Sequence, residues 1–144
     1  DEYKEALQEK RGDFHVLTAH EWLKQRLQNV ALQDRLKNIA KTDRTSDWYL
    51  FPHCTEITAM PNSGKEWQHI FATFSQQLQV ESVGCCGMAG VFGHETQHIA
   101  MSKEIYASSW QKKLQGKDPN FCLVKRMAHW QPKHPVQALL TLFE

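Results

Sequence analysis

The run Trp48-Tyr49-Leu50-Phe51, closed by Pro52, constrains the fold more than any other stretch of this 144-residue chain. It follows residues 41–47, which contain no apolar side chain. Proline has no amide hydrogen to give a sheet ladder, so Pro52 stops pairing there. Four bulky residues between a polar turn and a proline read as a buried strand with a sharp carboxyl end. Other short runs repeat the theme. Leu78-Gln79-Val80-Glu81-Ser82-Val83 alternates as strands do, and Phe121-Cys122-Leu123-Val124 reads as a short buried strand. Phe14-His15-Val16-Leu17 is a fourth candidate.

Helical patterns lie between these runs. Thr18-Ala19-His20-Glu21 has the capping-box spacing, in which Thr18 takes the Glu21 amide and Glu21 reaches back. Trp22, Leu23, Leu27 and Val30 then recur on one helical face, continuing through Leu32, Leu36 and Ile39 with a break near Asn29. Ser63-Gly64-Lys65-Glu66 repeats the box, and Trp67, Ile70, Phe71 and Phe74 form an i, i+3, i+4, i+7 stripe. A long helical stretch is expected from His94 to Leu114, broken before Ser102 and ended by Gly116-Lys117-Asp118-Pro119. Val136 to Phe143 forms a last apolar turn or helix. Strand–helix alternation of this kind predicts an α/β domain, a small mainly parallel sheet of about four strands with helices on both faces. The expected organisation is a polar segment over 1–13 and one domain over 14–144. The chain begins at Asp1 without a methionine, so it is expected to be a piece of something longer.

Charge and composition narrow the function classes. A net charge of +1 gives no reason to expect a nucleic-acid or anionic-membrane partner. No window of 18 apolar residues occurs, so no transmembrane segment is expected, and the start does not look like a signal peptide. Four cysteines in a chain this long are too few for a disulfide framework, which points to a reducing, cytoplasmic compartment.

Two of those cysteines stand side by side in Gly84-Cys85-Cys86-Gly87. Cys54 lies 30 intervening residues before the pair, and Cys122 lies 35 after it. Cys54, Cys85 and Cys86 follow expected strands directly, while Cys122 falls inside one. In parallel sheets ligands gather beyond the carboxyl ends of strands. Soft thiolates drawn together there would select zinc, copper(I) or an iron–sulfur cluster. The plain alternative is that a lone cysteine is a small buried hydrophobe, which suits Cys122 between Phe121 and Leu123. It suits the vicinal pair poorly, because flanking glycines imply a sharp turn or a close approach.

The motifs together resemble a known family. Pro52-His53-Cys54-Thr55-Glu56, Gly84-Cys85-Cys86-Gly87-Met88-Ala89-Gly90, Gly93-His94-Glu95 and Cys122 are similar to the cysteine-rich CCG domain. That family includes heterodisulfide reductase and the iron–sulfur subunits of glycolate oxidase and anaerobic glycerol-3-phosphate dehydrogenase. The likeness spans about 14–144. It is nearest to the C-terminal domain of large FAD-linked oxidoreductases of the D-lactate and D-2-hydroxyglutarate dehydrogenase type, and His134-Pro135-Val136-Gln137-Ala138-Leu139-Leu140 adds to it. The wider family ends on Cys-x-x-Cys. Here Pro119 holds the first of those positions, so the five-cysteine pattern is absent and four thiols remain.

The resemblance implies an iron–sulfur cluster of the 4Fe–4S type held by Cys54, Cys85, Cys86 and Cys122. His53, Glu56, Gly84, Gly87, His94 and Glu95 would shape the site or hydrogen-bond its sulfurs. It implies FAD and ferredoxin-like domains upstream, and electron flow from a D-2-hydroxy acid through the flavin towards a quinone-like acceptor. The protein would be cytoplasmic, or peripheral at the inner face of the membrane. This stretch would carry no catalytic residue of its own. Two other readings stay open: a structural or docking domain with empty or disulfide-linked cysteines, and a zinc site. Adjacent cysteines serve one tetrahedral zinc poorly, because neighbouring side chains diverge along an extended backbone.

His94-Glu95-Thr96-Gln97-His98 matches H-E-x-x-H, the helical zinc motif of metalloproteases. Gly90 and Gly93 put its first histidine at a fraying helix start. The longer version of the motif needs glycine at 101 and histidine at 104, where the chain has Met101 and Glu104. The protease reading is therefore disfavoured, and His94 and Glu95 are assigned to the cysteine loop.

Overall fold

A computed structural model describes residues 16–40, 47–124 and 133–143. In chain order the elements are helix α1 (Ala19–Leu27), helix α2 (Val30–Ile39), strand β1 (Asp47–Leu50), helix α3 (Cys54–Ala59) and helix α4 (Ser63–Thr73). Strand β2 (Gln77–Val80), helix α5 (Ile99–Tyr106), helix α6 (Lys112–Leu114), strand β3 (Cys122–Leu123) and helix α7 (Pro135–Leu140) follow. The fold class is the expected α/β, with a parallel sheet of three strands in the order β2-β1-β3. The expected strand at 14–17 is not among the described strands: Phe14 and His15 lie outside the described residues, and Val16 and Leu17 are exposed and irregular. The polar segment 1–13 also lies outside them.

Register explains how the sheet is covered. Trp48 pairs with Leu78, Leu50 with Val80 and with Leu123, and Tyr49 with Cys122. Side chains alternate across a pleated strand. Trp48, Leu50, Leu78 and Leu123 therefore join one apolar cluster, with Leu27 of α1, the α4 stripe and Ala138 and Leu139 of α7. Phe51, Cys122 and Val124 point the other way into a second cluster with Cys86 and Trp110, against which Tyr49, Val83, Tyr106 and Leu114 pack. Helical segments thus cover both faces. Pairing ends sooner than the alternation through Val83 predicts: the Glu81 amide donates to the Leu50 carbonyl at 2.9 Å, and the chain then leaves the sheet. Val83 packs without a ladder partner.

Several helix expectations hold and others shift. The break near Asn29 is real: its side chain accepts from the Leu32 amide at 3.0 Å and caps α2. At α1 the Glu21 carboxylate accepts from the Thr18 amide at 2.8 Å. All four residues of the α4 stripe are buried. The second capping box is not formed as expected. Asn62 is the cap, Ser63 is already helical, and Glu66 turns away to α1, accepting from Lys24 at 2.7 Å and lying 3.3 Å from His20 Nε2. An ion pair between packed helices takes that carboxylate in place of a local amide. On α1, Leu27 is buried but Trp22 is exposed, with the Arg26 guanidinium 5.5 Å from its ring centre. The helical stretch expected from His94 to Leu114, with a break before Ser102, consists of 3₁₀ turns at Phe92–His94 and Thr96–His98, then α5, a π-helical turn at Ala107–Gln111, and α6.

Candidate thiol site at the carboxyl edge of the sheet

Parallel pairing fixes where each cysteine stands. Cys54 opens α3 four residues after Leu50, and Cys85 comes five residues after Val80, the partner of Leu50. Both therefore lie beyond the carboxyl end of the sheet, and both thiols are exposed. Cys86, the next residue, turns inward and is buried. Cys122 lies lower, inside the ladder opposite Tyr49, and is fully buried. Its position within a strand is thus explained: it enters the second cluster from the sheet itself, while Cys86 enters from the loop above. All four are free thiols.

The Cys85-Cys86 loop is held by close backbone packing. Gly87 has φ +84°, and a Cβ there would lie 2.3 Å from the Ser102 carbonyl oxygen. A Cβ on Gly93 would lie 2.7 Å from both Met88 Sδ and Ser102 Oγ. The glycines let the loop settle on buried Ser102 in the first turns of α5. The Gly87 amide donates to Cys85 Sγ at 3.4 Å. On the other side of the loop, Gly84 donates its amide to Ser109 Oγ at 2.7 Å and accepts from Trp110 Nε1 at 2.9 Å.

The remaining expected residues fall around this edge. His53 precedes α3 as its cap, its ring centre 6.3 Å from that of Trp110. Glu56 is buried in the first turn of α3. His94 and Glu95 are exposed. His94 and His98 do not share a helical face, because 3₁₀ turns replace the helix that H-E-x-x-H requires. His98 instead stacks on Phe92 with ring centres 4.1 Å apart and sets Nδ1 2.8 Å from Glu95 Oε2.

Burial also shapes the chemistry of Cys122. Burial pushes its pKa from 9.0 up to about 11, Lys117 partly opposes this, and Asp118 and Glu81 add to it. Its Sγ faces the Asp118 carbonyl at 3.4 Å. Lys117 lies 3.2 Å from Glu81 and 4.7 Å from the Tyr49 ring centre. Cys122 is therefore a thiol at neutral pH unless a bound cation offsets the desolvation.

Two free thiols stand at the edge and two lie in the apolar cluster beneath, and thiols are the donors that a soft-metal site takes. The described geometry does not assemble one. Among the described residues, no three His, Cys, Asp or Glu side chains gather closely enough to hold a metal ion. Sequence reasoning missed Ser102, Ser109 and Trp110 as partners of the loop. The signal for them was indirect: glycines at 84, 87 and 93 require something close, but do not name it.

Fold and site together define a small parallel α/β domain bearing thiols on the carboxyl edge of its sheet. No family model matches the chain, and no solved structure matches it. It is 72% identical over 153 aligned residues to a D-2-hydroxyglutarate dehydrogenase of Haemophilus influenzae, covering 100% of this chain and 15% of that protein. It is 46% identical to the D-2-hydroxyglutarate dehydrogenase of Pantoea ananatis, covering 99% of the chain and 14% of that protein. Against the Escherichia coli protein of that name the identity is 42%, with 100% and 14% covered. The chain therefore spans about 15% of the length of the relatives it matches. Among the described residues no helix is long and apolar enough to cross a membrane.

Proposed function

We propose that this chain is the cysteine-rich redox domain of an FAD-linked D-2-hydroxyglutarate dehydrogenase, of the CCG type. The observation that carries the reading is the 72% identity to an enzyme of that name across the whole chain. The grouping of Cys54 and Cys85 on one sheet edge, above Cys86 and Cys122, supports it. On this reading the rest of the enzyme oxidises the hydroxy acid to its 2-oxo acid and leaves two electrons on FAD. An iron–sulfur centre on the four thiols would supply one-electron carriage towards a quinone-like acceptor, in the cytoplasm or at the inner face of the membrane. The sulfurs stand apart in the fold described, so binding would have to draw them together, as metal binding commonly couples to folding.

Anaerobic reconstitution with ferrous iron and sulfide tests this. The expected product is brown, with a broad absorption at about 400 nm that dithionite bleaches. Cys85→Ser should lose iron and colour, while His94→Ala keeps them. Colourless protein with stoichiometric zinc would replace the reading with a zinc site. Protein that takes neither metal would leave a docking domain.

A further inference from the structure

The π-helical turn Ala107–Gln111 breaks the regularity of the helical stretch next to the cysteine loop. Such turns insert one extra residue into a helix, and they occur often at functional sites because they re-aim side chains. Two residues of this turn are aimed at one target. Ser109 Oγ accepts from the Gly84 amide at 2.7 Å, and Trp110 Nε1 donates to the Gly84 carbonyl at 2.9 Å. Both backbone polar groups of Gly84, the residue before Cys85, are thus fixed by adjacent side chains. A Cβ on Gly84 would stand 3.3 Å from Ser109 Oγ, tighter than an ordinary contact.

Trp110 also lies beside the other cysteine-bearing segments. It is fully buried in the cluster that contains Cys86 and Cys122. Its ring centre lies 5.6 Å from that of Phe51 and 6.3 Å from that of His53, the residue before Cys54. One indole therefore touches or neighbours all three chain segments that bear cysteines.

We propose that Ser109 and Trp110 are the positioning residues of the thiol site: they clamp Gly84 and so set where Cys85 and Cys86 stand relative to Cys54 and Cys122. Their importance for electron transfer rests on the function proposed above, but the clamp itself is read without it. The loop carries Cys86 into the apolar cluster, and the clamp holds it there.

The test is residue-resolved alkylation of the reduced, metal-free chain with iodoacetamide, followed by mass spectrometry of wild type, Ser109→Ala and Trp110→Phe. Losing one clamp bond should speed modification of Cys86 roughly fivefold, the factor one neutral hydrogen bond is worth. Cys54, at the start of α3, should keep its rate. Cys122 reports general loosening, because it is buried in the same cluster but held by β3. A purely structural role would raise Cys86 and Cys122 together, and that result overturns the proposal, as does an unchanged Cys86 rate. Should Trp110→Phe fail to fold, Ser109→Ala decides, since it removes only a half-buried hydroxyl. Iron uptake by the wild-type chain, measured separately, decides the function and leaves the clamp result standing.

Discussion

Gly87 and Gly90 show how far one hydrogen in place of a methyl group can matter. Both have positive φ, +84° and +70°. A Cβ at Gly87 would collide with the Ser102 backbone, whereas nothing lies within 4 Å of one at Gly90. Gly90→Ala should therefore cost only the backbone strain, about 1 kcal/mol. Gly87→Ala adds the clash and should cost roughly 3 kcal/mol. Urea unfolding of the two variants measures the difference, and equal losses would mean that Ser102 is not the neighbour that matters. That glycines flank the cysteines for a steric reason is legible in the sequence. The identity of the neighbour is not, because Ser102 comes 15 residues later and meets the loop only through the irregular turns at 92–98.

Among the elements, α4 is the one whose sequence states its role most fully. Its stripe at i, i+3, i+4 and i+7 faces the sheet, and Trp67 is fully buried. Trp67→Ala should cost about 3–5 kcal/mol, as large cavities in a packed core do. Lys24→Ala should cost under about 0.5 kcal/mol despite its 2.7 Å contact with Glu66, because half of the lysine side chain is in water. Thermal or chemical unfolding distinguishes these, and a large loss at Lys24 would mean that the α1–α4 pair is far less solvent-screened than its exposure indicates. Glu66 also shows why a capping box can be read and not formed. Local spacing offers it an amide at Ser63, but a cation on α1 arrives by tertiary packing, which sequence spacing does not encode. The π-helical turn is hidden for the same reason: Ser109 and Trp110 fit a regular helical face, and their partner Gly84 arrives by tertiary packing.

For the molecule as a whole, the alternation of apolar runs and stripes is enough to give a parallel α/β sheet. It overstates the strands, since β3 pairs over only two residues. The edge position of Cys54 follows from the strand end that Pro52 marks, and Cys85 lies at the same edge although β2 ends at Val80, short of the Val83 that alternation predicts. The depth of Cys122 depends on register, Tyr49 opposite Cys122, which no local pattern specifies. That depth has a measurable consequence for global stability. The folded chain holds the Cys122 thiol protonated up to about 11, whereas in the unfolded chain it ionises near 9.0. A raised thiol pKa favours the folded state below the lower value, and the advantage disappears as pH climbs through the upper one. Reduced, metal-free protein should therefore lose stability between about pH 9 and pH 11. Cys122→Ala should lack that component, and denaturant midpoints across this range compare the two. Matching curves would mean that the buried sulfur is not the group responsible.

The vicinal cysteines, one turned outward and the next turned inward, give the domain a sensitivity to its surroundings that neither residue has alone. A dissolved peroxide meets the outer sulfur first, while the apolar cluster holds the inner one back from it. Oxidation at the rim would thus mark Cys85 well before Cys86.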